Sequence, residues 1–477
     1  MRIMLFVFCL VMVSTVHAEP KTTEAREANL FGAPTPVAPA DAKETKARNN
    51  TKTGARESSL FGDSVVSSSE SRLATVLAEQ ADPLSIGGRA YFRSRSALSD
   101  DTEISETPLS HSAQLYLYGD ARPTKRLRVY VKSRIDHEFS EPRAAIPING
   151  PQPDRTRVML DQLWLKFDIQ RKLFVTLGQQ PIRWGVGRIW NPTDFVNAQR
   201  KDPLAIFDAR PGIPLVKLHL PIESTGTNLY AIAQMDDVST VSDVGGVIRV
   251  EQTIGDSSEL GTTVAARKDQ PLRFGMDYSV GLGPIELRLE GSAARGGDLH
   301  QWTGNLVTDP TMLSFPERRD VNWSRQGGVG AEWGIAYGDN DSLYLTLEYF
   351  HNDLGYGDSD LYPWLLVQGD FVPLYVGRHY VAANLTLPRP GSFNDSTILA
   401  TGILNVSDQT GILRLDYQTR VLTKLTVFCY VSGYFGDQGE FRFGLDVPAN
   451  DQIPGLENGF TISRPRLDLG IWLALDL

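Results

Sequence analysis

From Leu84 to its last residue the chain alternates apolar and polar side chains with a period of two, and no other feature limits its fold so strongly. In "LRVYVKSRI", Leu127, Val129, Val131 and Ile135 fall on one side and Arg128, Tyr130, Lys132 and Arg134 on the other. Neighbouring side chains of a strand point to opposite faces, so each such segment is a strand with one oily and one polar surface. "GGRAYFRSRS", "SAQLYLYG", "DQLWLKF", "PIELRLEG", "SLYLTLEYF" and "KLTVFCYVSGYF" read the same way. Together with weaker segments they make roughly eighteen strands, with sixteen the near alternative.

The connections between these strands sort by parity. Even-numbered ones are short, as in "DARPTK", "DIQRK", "GDSS", "GLGP" and "GDND", whereas several odd-numbered ones are long: residues 97–109, 138–155, 180–212, 293–323, 352–374 and 436–459. Short turns at one end and long loops at the other are the pattern of outer-membrane barrels, whose short side is periplasmic. The 42 glycines, 20 phenylalanines, 16 tyrosines and 8 tryptophans suit strands, turns and interfacial aromatics. The closing segment "RLDLGIWLALDL" alternates to its end. Within Asp468–Leu477, the run Asp468-x-Gly470-x-x-Leu473-x-Leu475 resembles the signal that hands barrels to the outer-membrane assembly machinery, with Leu477 where an aromatic is commoner. The expected fold is all-β: a transmembrane antiparallel β-barrel of about 16–18 strands in outer-membrane lipid, with a disordered N-terminal periplasmic tail. The barrel would occupy residues 84–477.

"MRIMLFVFCLVMVSTVHA" has a cation at Arg2, an apolar run, and small residues at Val16 and Ala18, so residues 1–18 are expected to be a secretory signal. The run falls short of the ~20 residues that a spanning helix needs. Cys429 is the one cysteine beyond it, which excludes an intrachain disulfide. Residues 19–83 are mostly Ala, Thr, Ser, Lys, Glu and Pro, too polar to offset the entropy of ordering. Near their end "ESRLATVLAEQ" puts Leu73, Val76 and Leu77 on one face of a short helix.

No catalytic constellation stands out. His111, His137, His219, His300, His351 and His379 lack metal-ligand spacing, and "NDLGYGDSD", with Asp353, Asp358 and Asp360, suits a polar turn better than a calcium loop. No enzymatic activity, cofactor, metal or nucleic-acid partner is expected.

The informative segment is "LGQQPIRWGVGRIWNPTDFVNAQRKDPLAIFDARPG", Leu177 to Gly212, which leaves the fifth strand as the third long loop. Trp184, Ile189, Trp190, Phe195, Ile206 and Phe207 need somewhere to bury, and Arg183, Arg188, Arg200, Lys201 and Arg210 outnumber Asp194, Asp202 and Asp208. This is a basic element within a chain of formal net charge −10. Its cations could face the lumen or pair with acids that hold the loop to the wall, and the two roles are compatible. Gly178, Gln180, Trp184, Gly185, Gly187, Asn191, Pro192 and Asp194 resemble the signature of a widespread group of porin-like proteobacterial outer-membrane proteins. The resemblance implies a channel-type barrel with this loop as its constriction: Arg183, Trp184, Arg188, Trp190, Asp194, Arg200 and Lys201.

If Phe92, Val129, Val131 and Leu165 face lipid, then Arg93, Arg95, Arg128, Lys132, Arg134 and Lys166 face the lumen beside Tyr116 and Tyr118. Clustered fixed charge in a low-dielectric pore selects the opposite ion. Farther along, Glu286, Arg288 and Glu290 are mixed, so this basic ladder belongs to one side of the barrel. Three functions fit the sequence: a channel for small solutes, with anions preferred by this ladder; an export barrel for a polysaccharide; and a surface adhesion or structural protein anchored by its barrel.

The tail repeats a phrase: "AREANLFG" at Ala25–Gly32 and "ARESSLFG" at Ala55–Gly62. One reading is a tandem duplication without a role. The other is a pair of docking motifs for a periplasmic protein, in which Leu30 with Phe31 and Leu60 with Phe61 enter an apolar groove and Arg26 and Arg56 pair at its rim. Two linked copies would raise avidity ~10²–10⁴-fold over one. Phe31→Ala with Phe61→Ala should abolish co-purification of a periplasmic protein with the barrel, and either change alone should weaken it. Retention of every partner by the double variant would leave the phrase a duplication.

Overall fold

The computed structural model describes residues 83–140, 154–197, 199–205, 209–306, 314–337, 341–447 and 459–477. The secretory signal, nearly all of the tail, its short helix and both repeats lie outside the described residues, as do Ile206, Phe207 and Asp208. In chain order the strands are β1 (Leu84–Ser99), β2 (Leu109–Thr124), β3 (Leu127–Glu138), β4 (Thr156–Ile169), β5 (Leu173–Gln180), β6 (Ile213–Ile222), β7 (Thr227–Gln234) and β8 (Gly245–Ile254). Then come β9 (Ser258–Ala266), β10 (Leu272–Leu282), β11 (Ile285–Arg295), a short hairpin of β12 (His300–Thr303) and β13 (Glu317–Asp320), β14 (Trp323–Tyr337) and β15 (Asp341–Asn352). One helix, α1 (Tyr362–Gln368), precedes β16 (His379–Pro388), β17 (Ser396–Asn405), β18 (Thr410–Leu422) and β19 (Leu425–Phe435). A second hairpin, β20 (Leu445–Val447) with β21 (Phe460–Ile462), leads to β22 (Pro465–Asp476).

Apart from the two hairpins, the strands form one 18-stranded antiparallel sheet in which each pairs with its neighbours in sequence. β1 pairs with both β2 and β22, so the sheet closes on itself and leaves no edge. Ion pairs reinforce the seam: Arg89 with Asp476, and Arg95 with Asp468, whose two oxygens accept at 2.9 and 2.6 Å. Of the two strand numbers compatible with the sequence, eighteen is the one built.

Connections alternate in length around the barrel. At one end lie turns such as 125–126, 170–172, 255–257 and 283–284, together with the start of β1 and the end of β22. At the other lie the long connections 181–212, 296–322, 353–378 and 436–464. Facing outward, Phe92, Val131, Leu163, Ile248, Met276, Leu289, Leu347, Leu413 and Ile471 are all exposed, each 40% or more. Such a girdle is stable against hydrocarbon and not against water, which makes this a transmembrane barrel. The inner face is polar, with Thr176, Lys217, Arg249, Glu251, Asp277, Arg288, Glu290, Glu332 and Glu348 buried on it.

Candidate functional site

The described residues of 181–212 leave β5, cross the lumen and return to β6. Their path is set by two carboxylates on the opposite wall. Glu290 of β11 accepts the backbone N–H of Val186 and Gly187 on one oxygen, at 2.9 and 3.0 Å, and the N–H and hydroxyl of Thr193 on the other, at 2.9 and 2.6 Å. Glu348 of β15 accepts the backbone N–H groups of Arg188, Ile189 and Trp190. A loop carries backbone donors that no ladder satisfies, and burial makes each expensive unless an acceptor reaches it. These two glutamates let an irregular segment sit inside a barrel.

The turn between the two grips needs glycine. Gly185 has φ +97°, and a Cβ there would meet the Glu290 carboxylate at 2.6 Å. At Gly187 a Cβ would lie 1.9 Å from the Trp190 carbonyl oxygen. Asn191 closes the turn by donating its side-chain N–H to the Gly187 carbonyl at 2.8 Å. Asp194 accepts from Asn197 and Arg210, the latter at 3.0 Å, and burial pushes its carboxyl up despite that guanidinium. The Trp-Gly-x-Gly and Asn-Pro-x-Asp parts of the motif thus encode the shape of the loop.

Side chains fix the rest. Trp190 is 2% exposed, lies parallel to Phe350 with ring centroids 5.5 Å apart, and donates its indole N–H to the Leu374 carbonyl at 2.9 Å. Ile189 joins it in an apolar cluster with Tyr380, Ile403, Ile412 and Phe441. Trp184 instead packs back toward Tyr230, beneath the Arg249 guanidinium. Arg188 reaches Glu332 at 3.0 Å, a carboxylate shared with Arg288, and Lys201 donates to the Arg188 carbonyl at 2.9 Å. Arg183 and Arg200 are exposed, with Arg200 over the Tyr375 ring.

A second layer braces the first. The connection 353–378, which carries α1, is tied to Glu440 and Asp408 at the ends of β19 and β17. Glu440 accepts from Tyr380 at 2.7 Å, from Asn405 at 3.0 Å and from the Leu374 N–H, while Asp408 accepts from Tyr362, Asn405 and the Glu440 N–H. Leu374 thus links this layer to Trp190.

The wall formed by β22 and β1–β4 is different. Arg93, Arg95, Arg128, Lys132 and Lys166 share its inner face with Tyr116 and Tyr118. Arg95 is 44% exposed and Arg89 46%, whereas Arg249 and Arg288, under the loop on the far wall, are 4% and 2%. Arg128 pairs with Asp120, and Lys132 lies near Asp161. Arg93 stands over the Trp472 ring and donates to Ser112 at 3.1 Å, with no carboxylate in ion-pair range among the described residues. Arg134 departs from its neighbours: it is buried, pairs with Asp136 and Asp161, and donates to the Ala209 carbonyl of the loop at 2.8 Å. The period of two gave the faces of these residues. Glu348 and Glu440 carried no sequence signal, because their partners lie between 35 and 160 positions away.

The sequence matches no protein-family model and no curated protein. Its structure is similar to a BenF-like porin from Pseudomonas fluorescens Pf-5, with 10% identity, 83% of this chain and 99% of that chain covered, and a TM-score of 0.50. Also similar are OccK11 (OpdR) of Pseudomonas aeruginosa (10% identity, 83% and 95% covered, TM-score 0.48) and OccAB1 of Acinetobacter baumannii (12%, 82% and 96%, 0.48). At such identities the likeness to the BenF-like porin shows a shared fold.

Two outcomes test the anchoring. Glu290→Ala strands the buried donors of Val186, Gly187 and Thr193 and should weaken loop attachment by roughly 1–3 kcal/mol, the cost of unsatisfied buried groups. Limited proteolysis should then cut within 181–212 while the barrel keeps its heat-modifiable migration. Glu440 supplies the pH dependence, since burial lifts its carboxyl from 4.5 to about 7. A folded-state value raised in this way contributes stability that is full below the unfolded value and is lost as pH rises through about 7. Amide protection factors in 353–378, corrected for the intrinsic pH dependence of exchange, should therefore be higher below pH 7 than above it, and Glu440→Gln should flatten the difference.

Proposed function

We propose that this protein is an outer-membrane channel of a Gram-negative bacterium that passes small solutes along the wall of β22 and β1–β4, with residues 181–212 as its constriction. The observation that carries this reading is the contrast in burial around the lumen: charged side chains are sealed beneath the loop on one side and half-exposed on the other. Among the described residues, the second side is the one that offers a hydrated path. The fold shared with the BenF-like porin supports the same reading. On this reading the long connections face outward and the short turns the periplasm, and the N-terminal repeats are docking segments for a periplasmic protein.

The path prefers anions weakly. Its cations mostly stand beside carboxylates, so the imbalance rests on Arg93 together with the exposed Arg200 of the loop. A second reading, export of a polysaccharide, is favoured by an aromatic row on this wall, in which Tyr118 and Trp164 flank the buried Tyr130 with centroids 6.3 and 5.3 Å from it and are themselves partly exposed.

In planar bilayers the purified protein should open in ohmic steps with a reversal potential on the anion side in a salt gradient. Arg93→Ser should move that potential toward cations at nearly unchanged conductance, whereas Arg188→Ser, which frees the loop from Glu332, should make the current noisy. Absence of steps would overturn the channel reading, and block by added acidic oligosaccharide at low concentration would favour export.

A further inference from the structure

Two cations outside the barrel stand apart from most of the arginines within it. On the inner face, Arg134, Arg249, Arg288 and Arg414 each have a carboxylate in ion-pair range. On the lipid-facing side Arg295 closes β11 and Arg325 lies near the start of β14, both at the long-loop end. Both are exposed, and neither has a carboxylate in range among the described residues. Register sets them side by side, Arg295 opposite Trp323 and Arg325 opposite Ala293, on the face that carries Leu289 and Val329. The row continues onto β15 and β16, where His351 pairs with His379. Asp353, the acid nearest in the row, is engaged: it accepts from His351 at 2.9 Å and from the Arg325 backbone N–H at 3.0 Å.

Two features give the depth of this row. Trp323 and Tyr349 are 43% and 40% exposed on the same face, the position of an interfacial aromatic belt, and the Arg295 guanidinium lies 5.4 Å from the Trp323 centroid. Just toward the membrane, paired Gly291 and Gly327 leave the wall bare; a Cβ on either would meet only a backbone oxygen, at 3.9 and 3.8 Å. Unpaired guanidiniums at headgroup depth, over a bare strip of wall, complement an anionic headgroup whose body lies flat against the strands.

We propose that β11, β14, β15 and β16 hold a phosphorylated glycolipid of the outer leaflet, its phosphate between Arg295 and Arg325 and its sugar over Gly291 and Gly327. This rests on the outward orientation of the long loops proposed above. Native mass spectrometry of the full chain in detergent, with phosphorylated lipid A as the probe, tests it. Wild type should retain the lipid, and Arg295→Ser with Arg325→Ser should lower retention roughly ten- to thirtyfold. Gly327→Leu, which fills the bare strip and leaves both arginines, should lower it too. Dephosphorylated lipid A should bind no better to wild type than to the double variant, and inorganic phosphate should not displace the lipid. Equal retention by wild type and both variants, or equal binding of the dephosphorylated probe, would overturn the assignment. Conductance of the double variant should match wild type, so a failed channel reading and a failed lipid site give different records.

Discussion

A carboxylate that accepts backbone N–H groups is the interaction on which the interior of this barrel depends. Glu290 and Glu348 are wall residues, yet each captures three or more donors from a segment that starts on the other side of the lumen. Charge-assisted bonds of this kind are short and directional, so they fix the segment's course and not merely its presence. Everything that follows, from the burial of Trp190 against Phe350 to the bracing by Leu374 and Glu440, presupposes that the loop has been brought to the far wall.

Placing the loop there divides the lumen electrostatically. Under it, Arg249 with Glu251 and Asp277, and Arg288 with Glu286 and Glu332, are desolvated ion networks in which each charge is met by an opposite one. Such networks favour register over stability, because the desolvation of each ion offsets much of the attraction. Away from the loop the same kinds of residue keep their water and can interact with a passing ion. On the proposed reading, one motif decides both where the barrel is solid and where it is permeable.

The exterior follows a separate logic. Period-two strands present an unbroken apolar band to lipid, and polarity returns only at its margins, where Trp323, Tyr349, Arg295 and Arg325 stand. Inside and outside are chemically independent because a closed sheet lets alternate residues of one strand answer to different solvents.

Much of this was legible in the sequence. Alternation fixes which residues share a face, so the common side of Arg93, Arg95, Arg128 and Lys132 and the opposite side of Phe92 and Val131 follow from parity alone. Loop lengths gave the two ends, and the third long loop was marked by apolar residues that a solvent-exposed loop would not keep. What tertiary structure alone decided was pairing at a distance: that Arg188 meets Glu332, that Arg134 turns from the path to hold Ala209, and that Glu290 and Glu348 serve backbone donors. A sequence pattern reports the local period of a strand, whereas the partner of a buried charge depends on how a closed barrel brings strands distant in the sequence together across one lumen.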